Sequence, residues 1–220
     1  MIKITINCAL FCYDSGTLKV LLSKENNRVN AKWGILTGTL EVNESADDAA
    51  SRLVQEYGGE KNIFIRQLRT FIDPGQQSAD RNVIIEYYGL INIDKYKMFF
   101  GISKYYKRWW KVIDVPDLML NHNEIIDLSL YQIGNALRES AIGFELLPAE
   151  FTLSELTNLY KEILGVEANE VRFCKKIVQK KIIIPVDSEP TATAIETQKR
   201  FKFNSREYEK LAIEKSAVIF

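Results

Sequence analysis

Apolar and polar positions along the chain change period several times, and each change marks an element. Residues 2–13 (IKITINCALFCY) and 18–23 (LKVLLS) are β-rich runs joined by Asp14-Ser15-Gly16, which predicts a hairpin. Residues 63–71 and 82–91 predict two more strands around a polar loop with Pro74-Gly75. The run 82–91 alternates little, as a strand covered on both faces does. Between the hairpin and these strands the period becomes helical. Ala46, Ala49, Ala50, Leu53, Val54 and Tyr57 form an apolar stripe, and Gly58-Gly59 ends it. Ser45 with Asp48 three residues later forms a capping box, and Asp47 and Asp48 place negative charge in the first turn. Residues 124–140 predict a second amphipathic helix through Ile125, Leu128, Leu130, Ile133 and Leu137. Gly143 and Leu146-Leu147-Pro148 then mark a boundary.

Beyond that boundary the pattern starts again. Thr152 and Glu155 form another capping box, and Phe151 and Leu156 occupy the hydrophobic-staple positions. Leu153, Leu156, Leu159, Tyr160, Ile163 and Leu164 supply a buried stripe that stops at Gly165. Asn169 caps the next predicted helix, which runs to about Lys181 with Val171, Cys174, Ile177 and Val178 inward. Its other side carries Arg172, Lys175, Lys176, Gln179 and Lys180, with no acid between 171 and 181. Charge runs on helices are usually just solvated faces. Here the run follows a capped scaffold helix and precedes Ile182-Ile183-Ile184, a polar tip from Asp187 to Thr197, and the basic strand Lys199–Asn204. That order is helix-turn-helix logic with a wing: one helix packs and the next enters the major groove. Arg172, Lys175, Lys176, Gln179 and Lys180 on the helix, with Lys199, Arg200 and Lys202 on the strand, are the predicted DNA-binding residues.

Composition narrows the class. The 220 residues carry 29 basic and 29 acidic side chains and are 46% hydrophobic, which predicts a soluble protein of one or two domains. Zero net charge excludes a generally basic coating protein, not a local basic patch. Cys8, Cys12 and Cys174 lack paired metal spacing and predict buried thiols in a reducing compartment. The N-terminus lacks a signal-peptide layout and no apolar run approaches ~18 residues; the expectation is a cytoplasmic protein. His122, the one histidine, builds neither a multi-histidine metal site nor a triad, so a cap or core hydrogen bond is expected. Residues 95–111 (KYKMFFGISKYYKRWWK) interleave aromatics and cations. Such a stretch can stack single-stranded bases, but a strand pair with aromatics inward and cations wet is the favoured reading.

Gly38, Glu44 and Arg52, separated by five and seven residues, resemble the Nudix box, with Trp33, Glu41, Ala49-Ala50, Glu56 and Gly59 also at its positions. In that family the box helix holds magnesium against a diphosphate. Here Leu53 and Tyr57 stand at two of its three acidic positions, and Thr37 and Asn43 where glycine is usual. Magnesium needs several oxygen ligands converging on one helix face; Glu56 with a leucine and a tyrosine makes no comparable cluster, and metal-activated water is lost with it. Asp80-Arg81 before the strand ending Tyr87-Tyr88-Gly89-Leu90 resembles the regulator branch of the family.

Leu147-Pro148, Phe151-Thr152-Leu153, Glu155-Leu156, Leu159-Tyr160 and Ile163-Leu164-Gly165 complete the picture. In this order they resemble NrtR-type Nudix-related transcriptional regulators. The resemblance, over roughly 1–205, implies a Nudix α/β/α sandwich (1–145) followed by a winged helix-turn-helix domain (146–220). It implies a homodimer on a palindromic double-stranded operator, acting as a repressor. It also implies a small effector, ADP-ribose or a sugar, sensed in the Nudix domain without a cofactor, metal or catalytic residue. Trp33, Glu41, Glu44, Arg52 and Glu56 are the effector-binding expectation. The alternative is an active Nudix hydrolase drawing carboxylates from Glu44 or Glu86. A scaffolding pseudoenzyme would leave Arg172, Lys175 and Lys176 without a task. A helix packing on the dimer is expected within 205–220.

Overall fold

The computed structural model describes residues 2–25, 31–58, 63–73, 81–96, 105–165, 170–186 and 199–213, side chains of 25, 73, 81, 95, 105 and 170–174 excepted. The chain divides into two compact units: Met1–Cys12 with Lys19–Tyr131, and Tyr13–Leu18 with Gln132–Phe220.

The first unit is built on a six-stranded sheet. Strands β1 (Ile2–Asp14) and β2 (Thr17–Glu25) form the expected hairpin, followed by β3 (Leu36–Thr39), β4 (Phe64–Asp73), β5 (Arg81–Asn92) and β6 (Tyr105–Lys111). Their order is β4-β5-β1-β2-β6, with β3 paired antiparallel to β1. Consecutive buried residues from Ile6 to Tyr13 and from Glu86 to Asn92 place β1 and β5 in the middle, covered on both faces. Helix α1 (Ala46–Glu56) lays Ala49, Ala50, Leu53 and Val54 onto one face, against Ile6, Cys8, Leu10, Leu21, Tyr87 and Ile91. Strand alternation turns Glu86 to the opposite face.

Helix α2 (His122–Glu139) begins on that opposite face, two residues earlier than the periodicity predicts. Its start is set by long-range bonds. The backbone N–H of Ile35 donates to His122 Nδ1 at 3.1 Å, and Arg69 donates to Glu124 at 2.8 Å while its Nε donates to the buried Glu86 at 2.6 Å. His122 thus makes the core hydrogen bond expected of it. A register shift between Gln67 and Arg69 sets where Arg69 lies along β4. Of the stretch 95–111, residues 97–104 lie outside the described residues; the described part contains β6, whose partner is β2, Trp109 facing Leu21 and Trp110 facing Val20. No helix among the described residues is long and apolar enough to cross a membrane.

The second unit contains a three-stranded sheet, β7 (Phe151–Thr152), β9 (Arg200–Phe203) and β8 (Ile183–Pro185) in that order. Helix α3 (Leu153–Leu164) starts at the predicted capping box and ends at Gly165, whose φ of 63° is the left-handed conformation glycine tolerates. Leu156, Leu159 and Tyr160 are buried with Phe151, Ile177, Ile182, Ile183 and Phe201. Phe144 stacks on Phe203, ring centroids 4.3 Å apart. Helix α4 (Glu170–Gln179) is shorter than expected because Lys181 adopts φ 54° and breaks it. Its expected cap Asn169 and the wing tip 187–197 lie outside the described residues. Asn204 donates to the carbonyls of Ile182 and Lys181 and closes the base of the wing. The hairpin turn of β1 and β2 belongs to this unit, where Leu18 N–H donates to Glu162. Helix α5 (Ser205–Ile213) occupies part of the predicted tail.

Candidate functional site

The loop before α1 and the helix itself place four polar residues around one guanidinium. Ser45 caps the helix by accepting from Asp48 N–H at 3.1 Å, and the Asp48 carboxylate accepts from Ser45 N–H at 3.3 Å. That capping box fixes the helix start, so Glu44 falls just before it and Arg52 two turns along. Arg52 donates to both oxygens of Glu44, through Nε at 3.0 Å and the terminal nitrogen at 2.6 Å. It also donates to Glu56 at 2.9 Å and to the carbonyl of Thr39 at 2.9 Å, and Glu41 lies 3.5 Å away. Glu44 in turn accepts from the Glu41 backbone N–H at 2.6 Å. The Arg52 hydrogen bonds hold the Glu44 carboxyl below its usual range, and Glu44 and then Glu56 push the arginine higher still.

This group is anionic: three carboxylates share one cation. Glu44 is only 15% exposed, whereas Glu41 and Glu56 are 64% and 52% exposed. The exposed pair can meet a ligand; Glu44 serves the loop. Asn43 bends the loop at φ 68°, which explains why glycine suits that position and why asparagine is tolerated. Leu53 and Tyr57 point away from the cluster into the apolar layer under α1. Leu53 packs over Gly38, where an added Cβ would lie 3.0 Å from Leu53 Cδ1. Among the described residues no group of three His, Cys, Asp or Glu is arranged to hold a metal ion. Glu86, the other carboxylate considered for a hydrolase, is fully buried and taken by Arg69.

Four of the five expected effector residues are therefore together: Glu41, Glu44, Arg52 and Glu56. Trp33 is elsewhere. Its ring meets Trp110 edge-on at 5.7 Å and carries the ammonium of Lys24 at 5.0 Å. The interleaved stretch splits by strand alternation: Trp109 packs inward against Tyr96 at 5.1 Å, and Lys107 is half-buried over the Tyr57 ring.

In the second unit Ile177 anchors α4 inward, leaving Lys175 and Gln179 exposed and Lys176 and Lys180 half-exposed. Arg172 is on the same helix; its side chain lies outside the described residues. On β9, Phe201 is buried while Arg200 and Lys202 alternate outward beside the exposed Lys199. The helix and strand predicted to meet DNA thus present their cations outward, with Arg200 also donating to the Glu150 carbonyl at 3.3 Å.

A Nudix-type α/β/α unit followed by a winged helix defines the class. Within it, residues 143–203 match the NrtR DNA-binding winged helix domain. Across the chain, the ADPR responsive transcriptional repressor NtrR of Acinetobacter baylyi is 24% identical over 194 residues, covering 86% of this chain and 77% of that protein. The crystal structure of Shewanella oneidensis NrtR complexed with a 27mer DNA superposes with a TM-score of 0.76 at 21% identity, covering 93% and 94% of the two chains. A MutT/nudix family protein from Enterococcus faecalis gives 0.71 at 19% identity, covering 93% of this chain and 88% of that one. At these identities the likeness is one of fold, and it extends over nearly the whole chain.

Proposed function

We propose that the protein is a transcriptional repressor that binds a double-stranded operator through α4 and β9 and senses a small effector in its Nudix domain. The observation that carries this reading is the winged helix match over residues 143–203, on a chain whose α4 and β9 turn Lys175, Lys176, Gln179, Lys180, Lys199, Arg200 and Lys202 outward. Arg172 completes the helix set. Cationic side chains at that place neutralise phosphates and release counterions, and a helix in the major groove reads base edges. The Acinetobacter relative responds to ADPR and the Shewanella relative was crystallised with DNA; the same pairing of effector and operator is our reading here. The effector is of the ADP-ribose type and meets Glu41, Arg52 and Glu56, with Glu44 holding the loop.

The protein acts as a cytoplasmic homodimer on a palindrome, with residues 1–145 sensing and 146–220 binding DNA. It does not hydrolyse its effector. Magnesium does not fit the box: Leu53 and Tyr57 are buried in the apolar layer, and the glutamates that remain converge on Arg52 rather than on an open ion position. The test is a genomic-fragment selection with the purified full-length protein, followed by ADP-ribose titration of the recovered complex. Enrichment of a palindrome, released or tightened by ADP-ribose, is the expected result. No enrichment overturns the operator assignment; magnesium-dependent turnover on the order of 1 per second overturns the absence of hydrolysis.

A further inference from the structure

The face of the sheet opposite α1 carries a second group of functional side chains, around Trp33. Strand β6 alternates, so Tyr106, Arg108 and Trp110 share this face while Lys107 and Trp109 take the other. Lys24 stands over the rings of Trp33 and Tyr106 at 5.0 and 5.8 Å, and the Arg108 guanidinium over Trp110 at 4.5 Å. Neither cation has a carboxylate partner among the described residues. The nearby ion pair, Lys32 with Asp117 at 2.8 Å, satisfies itself.

Two further donors lie here. The turn at Trp33 and Gly34 is fastened to the start of α2: Met119 N–H donates to the Trp33 carbonyl at 2.9 Å, and a Cβ on Gly34 would come within 2.8 Å of His122 Nδ1. Because His122 Nδ1 accepts from Ile35 N–H, the proton of the neutral ring sits on Nε2. That Nε2 is buried without a partner, and so is Nε1 of Trp110. His122 is 1% exposed, and burial pushes it down to about 4, so it stays neutral near pH 7. The group gathers two cations and two unpartnered N–H donors; on the same face of the sheet Glu86 keeps one buried carboxylate oxygen without a partner, the other being taken by Arg69. An unsatisfied buried donor carries an uncompensated desolvation cost, and an oxyanion accepting from several directions removes it.

We propose that the surface formed by Lys24, Trp33, Arg108 and Trp110, with His122 buried behind the Trp33-Gly34 segment, is an anion site for the phosphate of a small phosphomonoester. A phosphate monoester presents three strong acceptor oxygens and close to two negative charges, which suits four donors better than a carboxylate does. The site is independent of the Arg52 group, which belongs to the other face, and stands or falls apart from it.

The single histidine makes the test direct. His122 imidazole nitrogen signals are followed by NMR in the full-length protein during titration with inorganic phosphate, ribose 5-phosphate, and potassium chloride at matched ionic strength. Both phosphates shift Nε2 in the roughly 1–10 mM range or below, the monoester at the lower concentration, and chloride does not. Arg108→Gln and Lys24→Gln, both surface changes, each weaken the response by about tenfold or more, and Trp110→Phe weakens it while keeping the ring. Arg52→Gln leaves it intact. No shift with either phosphate, an equal shift with chloride, or a response abolished by Arg52→Gln and kept in Arg108→Gln overturns the assignment.

Discussion

Helices α1 and α3 begin in the same way: a hydroxyl cap, an acid three residues later, and an apolar stripe behind. What surrounds them differs. Beside α1 the charges face one another, with Arg52 gripping Glu44, Glu56 and the Thr39 carbonyl, and the loop is closed by its own ion pairs. Beyond α3, the charges on α4 are of one sign between 171 and 181. Shared helix grammar therefore says nothing about use; the location of each charge's counterpart does. A network of opposite charges orders a loop, while a helix stretch that carries cations and no acids of its own presents a positive face.

The largest effect should come from forcing the first region to resemble a working box. Leu53→Glu places a carboxylate in the apolar layer beneath α1 and should lower unfolding free energy by about 3–5 kcal/mol. Denaturant melts and a magnesium-dependent hydrolysis assay check it: a stable, active variant would break the comparison. Next comes the open region. Lys175→Ala with Lys176→Ala should weaken operator binding on the order of a hundredfold or more, and reduce the salt slope by about two. Fluorescence anisotropy at several salt concentrations measures both, and an unchanged melting temperature shows that the fold is intact.

A smaller effect tests the closed region. Arg52→Gln leaves three carboxylates around a neutral side chain, and should cut ADP-ribose response of the DNA complex about tenfold while sparing DNA binding. An unchanged titration would make the network merely structural. The pairing also has a pH signature. Glu44 is depressed in the folded state, so its contribution is present above the ordinary carboxylate range and is lost as pH falls below it.

The effect confined to the narrowest range of conditions belongs to His122. Its pKa moves from 6.5 when unfolded to about 4 when folded, so the unfolded chain binds the extra proton first. Stability should be level above pH 6.5 and fall by up to ~1.4 kcal/mol per pH unit between there and 4. With no other histidine in the chain, the fall between pH 6.5 and 5 should vanish in His122→Gln. Thermal melts across that range decide it.

The order of elements was legible in the residues, and the reason is range. Both capping boxes act over three residues, and the strands announce themselves by composition. The relation of Trp33 to Trp110, the bond from Ile35 to His122, and the grip of Arg69 on Glu86 and Glu124 were not legible. Each joins positions 17 to 87 residues apart, through a register that a bulge in β4 or a bridge between β2 and β6 decides. Arg52 was half legible: its i,i+4 bond to Glu56 follows from helix spacing, while its two bonds to Glu44 depend on how the loop folds back. Trp33 matched a box position in sequence, yet its neighbours are on β2 and β6.

Lys181 holds a left-handed backbone at φ 54°, immediately after the cationic helix, where glycine would rest more easily. A lysine there is a compromise between durability and reach. Lys181→Gly should raise folding stability by up to about 1 kcal/mol, yet remove a positive charge from the end of α4. An enhancement in heat tolerance accompanied by weaker, less salt-sensitive operator binding would place this position among those where selection has favoured grip over robustness.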